Sequence, residues 1–191
     1  MFVGKLTTAK GALDLATLAQ ILSNDLPGLK VVYLGQDCSY RGRISFVGLS
    51  PRRLFPGALP HSETLAWLGI ARAFARPSHL EAFSMAPFGA MVLRVPLIYT
   101  RPASGPKLID DARTGLLVAP AKPQQVAAAV RHVDSDFGSK LVSAAQAALD
   151  ARFSLARCTD MSLSFYAAVL HKSAGPAFGG CAPEGECRVT S

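Results

Sequence analysis

Two segments of this 191-residue chain hold the residue types that could do chemistry. The first, Gly4-Lys5-Leu6-Thr7-Thr8-Ala9-Lys10-Gly11, joins an apolar strand candidate to a helical pattern that begins at Ala12. Lysines at the start of a helix suit a diphosphate, because ammonium charge and free backbone N–H groups converge there. The loop has neither the dinucleotide glycine pattern nor the ATP-loop pattern. The second segment, Pro77 through Gly89, follows an apolar run and leads into another helical pattern. It places a carboxylate, Glu81, and the amides of Phe83, Ser84 and Met85 at one loop, an arrangement that grips polar, phosphate-bearing ligands. On residue chemistry alone, Glu81 equally reads as a solvated carboxylate that favours a helix start. Gly89 equally reads as a small residue that lets its helix pack on the sheet, at about 1 kcal/mol of helix propensity. His79 reads as a packing or surface residue.

The elements that must position these loops follow from hydrophobic periodicity. Strands are expected at Phe2–Leu6, Lys30–Leu34, Arg43–Val47, Ile70–Ala75, Val95–Thr100 and Thr114–Val118. Helices are expected at Ala12–Ser23, at His61–Gly69 (introduced by His61 or Ser62), from Phe83 toward Met91, and from Ser104 to Asp111. Three more are expected to close the chain: one from Pro123 to about Val133, one from Gly138 or Ser139 to about Ala151, and one from an N-cap at Ser154 to about His171. Ser50–Pro60, with its three prolines and two adjacent arginines, reads as irregular. The strand runs lack alternation, as buried parallel strands do, and no two consecutive strands are joined by a two-residue turn. The expected class is therefore α/β with parallel crossovers.

Composition narrows the function classes. Hydrophobic residues make up 50% and charged residues 17%, which excludes a disordered chain. No apolar run reaches the length of a membrane span, and no leader pattern opens the chain. The net charge of +7 comes from 20 basic and 13 acidic residues spread along the sequence, without a nucleic-acid recognition module. An anionic small molecule, an acidic membrane surface or plain solvation all accommodate it. Cys38, Cys158, Cys181 and Cys187 have neither the density of a disulfide scaffold nor the spacing of a zinc site.

The segment from Glu81 to Gly89 resembles the donor-site motif of retaining glycosyltransferases of the two-domain B-type fold, the glycogen-synthase-like group 1 family. That motif runs Glu, small, Phe, small, apolar, then Pro, apolar and a second Glu. Glu81, Ala82, Phe83, Ser84, Met85, Pro87 and Phe88 match it, and Gly89 stands in place of the second Glu. The match extends in order through Gly4-Lys5-Leu6, Tyr33-Leu34-Gly35, Phe46-Val47-Gly48, Thr114-Gly115-Leu116-Leu117-Val118 and Phe153-Ser154. Ser104-Gly105-Pro106 also matches, but Lys107 replaces the Glu that usually follows.

The resemblance implies a Rossmann-like parallel sheet with helices on both faces, a single half of the B-type fold. Residues 1–172 would form the nucleotide-sugar-binding domain, and 173–191 a flexible Gly/Pro-rich tail. In this reading Gly4, Lys5 and Lys10 form the loop whose two cations hold the donor diphosphate, Lys10 acting with Glu81 in catalysis. Glu81 faces the donor sugar and accepts its hydroxyls. Amides near Phe83, Ser84 and Met85 meet the diphosphate or the leaving oxygen, and position 89 belongs to the ribose. Loss of the second Glu at Gly89 is expected to weaken nucleotide binding by about 1.5–3 kcal/mol, roughly ten- to hundredfold. The implied activity is hexose transfer from a nucleoside-diphosphate sugar to a glycan, lipid or small-molecule acceptor, with no metal and no cofactor beyond that donor. The alternative is a degenerate, non-catalytic module that assembles with another chain. The acceptor-binding domain that precedes the Gly4 loop in the family is expected on another chain or a second copy, or lost through truncation. A cytoplasmic location, a peripheral membrane acceptor and no nucleic-acid partner complete the expectation.

Overall fold

Val31-Val32-Tyr33-Leu34 is apolar at every position, and all four residues are buried. A strand of this kind needs cover on both faces, which a parallel sheet with helices on either side supplies. The computed structural model of the protein describes residues 1–36, 52–81, 84–101, 105–133 and 135–173. In it β2 (Val31–Leu34) lies between β1 (Phe2–Val3) and β3 (Arg53–Gly57), both parallel to it, with Phe2 opposite Tyr33 and Val31 opposite Arg53. A second parallel sheet contains β4 (Phe74–Arg76), β5 (Leu97–Thr100) and β6 (Leu116–Val118) in that order. The two sheets meet where Met1 accepts from the Ala75 amide at 2.9 Å and its amino group donates to the Ala73 carbonyl at 2.6 Å. The strands therefore run 3-2-1-4-5-6, and the order reverses between β1 and β4. In doubly wound sheets the ligand crevice opens at such a reversal, beyond the carboxyl ends of the strands.

Helices cover both faces. On one face α1 (Ala12–Ile21), α5 (Pro123–His132) and the start of α6 (Asp136–Phe153) bury Leu15, Leu18, Val126 and Leu141 against Phe2, Tyr33, Ile98 and Val118. α2 (His61–Gly69) and α3 (Ala86–Val92) bury Leu68, Ala90 and Met91. A short α4 (Gly105–Leu108) precedes β6. Each large apolar side chain so buried contributes about 1.5–3 kcal/mol, which holds the strand ends that carry the loops.

Several expected boundaries move. The segment 53–57, expected to be irregular, is a strand. Pro56 is tolerated because β3 is the outer strand among the described residues, where a missing N–H breaks no ladder on its open side. The strand expected at Arg43–Val47 lies outside the described residues. Ile70, expected in the strand before Pro77, is 77% exposed at the end of α2, and the strand starts only at Phe74. β1 is shorter than expected, ending at Val3. α2 keeps the expected limits, but Pro60 precedes it and no side chain caps it. The helix expected from Phe83 opens at Ala86, with Pro87 in its first turn, where a missing N–H costs nothing.

Contact density divides the chain at Ala151. The described part of the second unit, Arg152 onward, holds the end of α6 and α7 (Leu155–Ser173). Ser154 accepts from the Arg157 amide at 3.4 Å, the expected cap of α7. The predicted tail lies outside the described residues from 174 onward.

Candidate functional site

β1 ends at Val3, and the chain turns at Gly4, whose amide donates to the Leu34 carbonyl at 2.8 Å. After Leu6, whose amide reaches Gln36, a 3-10 turn at Thr8–Lys10 closes on Gly11. Gly11 has a φ of +74°, and a Cβ there would lie 2.1 Å from the Pro77 carbonyl oxygen. Glycine is thus required twice, for the left-handed turn and for the close approach of the second loop.

That second loop, Pro77 to Glu81, is fastened onto the first. The Ala9 carbonyl accepts from the amides of His79 at 2.8 Å and Leu80 at 3.3 Å. His79 Nε2 lies 2.5 Å from Asp14 Oδ2 on α1. From the other side Thr100 Oγ1, at the end of β5, donates to the Ser78 carbonyl at 2.7 Å. His79 therefore positions the loop, in keeping with its expected packing role.

Between the two loops lies a charge cluster. Glu81 is 8% exposed, and its Oε2 meets Lys10 Nζ at 2.9 Å and Arg76 Nη2 at 2.8 Å. Arg76, at the end of β4, is 7% exposed. Its Nη1 donates to Ser84 Oγ at 2.7 Å and to the Val3 carbonyl at 3.3 Å, and its Nε donates to Ser78 Oγ at 3.3 Å. The guanidinium lies 3.5 Å from where a Cβ on Gly4 would sit. Buried charges are stable only when paired and hydrogen-bonded, and this one satisfies both conditions. Both ion pairs use Glu81 Oε2, and among the described residues no hydrogen bond to Oε1 is seen.

Of the residues expected from sequence, Gly4, Lys10, Glu81 and Ser84 converge on this cluster. Lys5 is exposed and its ammonium makes no ion pair among the described residues. Met85 is 73% exposed and precedes α3. Phe83 lies outside the described residues. A Cβ on Gly89 would lie 3.4 Å from Cδ2 of both Leu65 and Leu68 on α2. Arg76 was not anticipated. Its only sequence signal is a charged residue between an apolar run, Phe74-Ala75, and Pro77-Ser78.

A cavity of about 620 Å³ sits at the other end of the sheet, lined by Met1, Leu18, Leu29, Trp67 and Val133 among others. Lys30 and Arg72 are the only charged side chains among its lining residues, so it lacks the convergent polar groups that orient a ligand. The Lys10–Glu81–Arg76 cluster, at the strand-order reversal, has them. Among the described residues no His, Cys, Asp and Glu side chains gather as a metal site. Among them, too, no helix is long and apolar enough to cross a membrane.

Comparison with known proteins identifies the family and the fold. Residues 1–147 match the family described as glycosyl transferases group 1. A glycogen synthase of Mycobacterium tuberculosis (strain CDC 1551 / Oshkosh) is 30% identical over 144 residues, 71% of this chain and 34% of that protein. The chain thus spans about a third of the length of the curated relatives it matches. In structure it is similar to the C-terminal domain of a group 1 glycosyl transferase, LpcC, from Francisella tularensis. The TM-score is 0.73 at 20% identity, covering 81% of this chain and 85% of that one. It is also similar to HepE from Anabaena, solved with UDP-glucose, with a TM-score of 0.74 at 20% identity over 87% of this chain and 48% of that one. The fold is that of the C-terminal half of a B-type glycosyltransferase, and the chain belongs to the group 1 glycosyl transferases.

Proposed function

We propose that this chain is the donor-binding half of a retaining glycosyltransferase that takes a hexose from a nucleoside-diphosphate sugar. The observation that carries the reading is the Lys10–Glu81–Arg76 cluster at the reversal of strand order, beside a glycine turn. Lys10 neutralises the diphosphate as it becomes the leaving group, an electrostatic contribution that grows in the transition state. Glu81 accepts sugar hydroxyls through Oε1, the oxygen that the two ion pairs do not use. Lys5, exposed beside Gly4, adds a second cation when the diphosphate is seated. The likeness to a protein solved with UDP-glucose supports a uridine nucleotide as the first donor to test. The acceptor, a glycan, a lipid or a small molecule, would be presented by a further domain.

Calorimetric titration with UDP and UDP-glucose tests the reading. Both should bind saturably, and Glu81→Gln should lower UDP-glucose affinity relative to UDP by about tenfold, the value of one hydrogen bond to a charged acceptor. Absence of saturable binding by UDP, ADP or GDP and their glucose conjugates would sink it.

A second reading, a module that has lost donor binding and serves assembly, is favoured by one observation. The position expected to hold the ribose is a glycine whose Cα–H faces Leu65 and Leu68. Gly89→Glu separates the two. For a donor-binding domain it should raise UDP affinity about tenfold, the lower end of the expected range, because the new side chain starts against two leucines. No saturable UDP binding by either protein would favour the assembly module.

A further inference from the structure

Lys10 and Arg76 share one oxygen of Glu81, yet they are held very differently. The side chain of Lys10 is 28% exposed, and among the described residues Glu81 is the only side chain it bonds. Arg76 is 8% exposed by the same measure and has four further acceptor contacts or near neighbours fixed by the fold: Val3, Ser78, Ser84 and the Gly4 turn. Lys10 can leave Glu81 by rotating its side chain, whereas Arg76 cannot leave without breaking contacts to β1 and to both ends of the Glu81 loop.

This asymmetry matters if a diphosphate arrives, as the proposed function requires and on which this inference rests. Phosphate oxygens compete with Glu81 for Lys10. Were Lys10 the sole partner of a carboxylate this deeply buried, its departure would orphan a buried charge, which is strongly unfavourable. With Arg76 in place the carboxylate keeps a partner throughout. We infer that Arg76 is a positioning residue, a permanent counter-ion of Glu81 that releases Lys10 to the diphosphate and so sets its affinity without touching it.

The inference makes a rescue pattern that a purely structural arginine would not. With UDP as the probe, which carries no sugar for Glu81 to contact, R76M should weaken calorimetric binding about tenfold, because Lys10 is then held by a carboxylate with no other partner. Adding E81Q removes the competitor, and R76M/E81Q should return to within about threefold of the wild-type chain. E81Q alone should bind UDP at least as tightly as wild type, a comparison that stands even where R76M fails to fold. R76M binding equal to wild type, a loss that persists in R76M/E81Q, or weaker UDP binding by E81Q would each overturn the inference. If the wild-type chain binds none of UDP, ADP and GDP, the diphosphate reading itself fails and takes the inference with it.

Discussion

Replacing Lys10 by methionine should weaken UDP binding by about ten- to hundredfold while leaving the chain folded. The functional half of this expectation follows from the value of a charge-assisted hydrogen bond, about 1.5–3 kcal/mol, lost from a site that holds a dianionic group. The stability half follows from the partners Lys10 leaves behind. Glu81 retains Arg76 at 2.8 Å, so no buried carboxylate is orphaned. The lysine itself is more than a quarter exposed, and pairs of that kind contribute about 1 kcal/mol or less. Lys10→Arg, which keeps the charge, should recover part of the affinity. Raising the salt concentration should weaken wild-type binding more than that of Lys10→Met, since the screened charge is missing in the variant. Calorimetry and thermal unfolding on the same samples check both halves. Unchanged UDP affinity would remove Lys10 from the site, and a lost fold would make it a structural residue.

How much of this was legible from residues alone depends on which force decides each position. The α/β class, the limits of α2 and the start of α5 at Pro123 follow from periodicity and proline chemistry, which are local. The meeting of Lys10 with Glu81 is implied by the family resemblance, and it is long-range: the loops after the first and fourth expected strands share one crevice in a doubly wound sheet. Three features are decided by tertiary context instead. Pro56 and the neighbouring arginines argue against a strand, yet among the described residues β3 occupies an outer position where a missing N–H is harmless. Ile70 belongs by type to a buried strand but lies exposed beyond α2. Arg76 is the clearest case: a charged residue in an apolar strand is by default a surface residue, and only the placement of Glu81, Ser84 and the Val3 carbonyl around it makes burial tolerable. No local pattern encodes that convergence.

The same physics separates the roles of the two loops. The Ala9 carbonyl in the first loop accepts from His79 and Leu80 in the second, and Arg76 donates to the Val3 carbonyl before the first loop and to Ser78 and Ser84 around the second, so the geometry of the crevice rests on how closely the loops approach. Gly11 lies where the first loop packs against the Pro77 backbone of the second. An exposed lysine can be replaced without moving the backbone, but a side chain added at this point cannot be accommodated by rotation.

Gly11→Ala should therefore destabilise the chain by about 3 kcal/mol and weaken UDP binding along with it. Part of the stability loss, about 1 kcal/mol, is the strain of a φ of +74° in a residue with a Cβ. The larger part is overlap: the new carbon would sit 2.1 Å from the Pro77 carbonyl oxygen and 2.6 Å from its carbon, both backbone atoms. Relief requires the loops to separate. The bonds from His79 and Leu80 to Ala9 and the Lys10–Glu81 pair span the same gap, so all lengthen together. Gly28→Ala is the matched control. Its φ is not left-handed and nothing lies within 4 Å of the added carbon, so stability should stay within about 0.5 kcal/mol of wild type. Urea midpoints for the two variants, with UDP titrations alongside, provide the measurement. If Gly11→Ala proves as stable as Gly28→Ala, the loops are not clamped at Pro77 and the cluster owes its geometry to the ion pairs alone. If stability and binding fall together in Gly11→Ala but separate in Lys10→Met, the crevice is held by backbone contact, and its cations are free to serve the ligand.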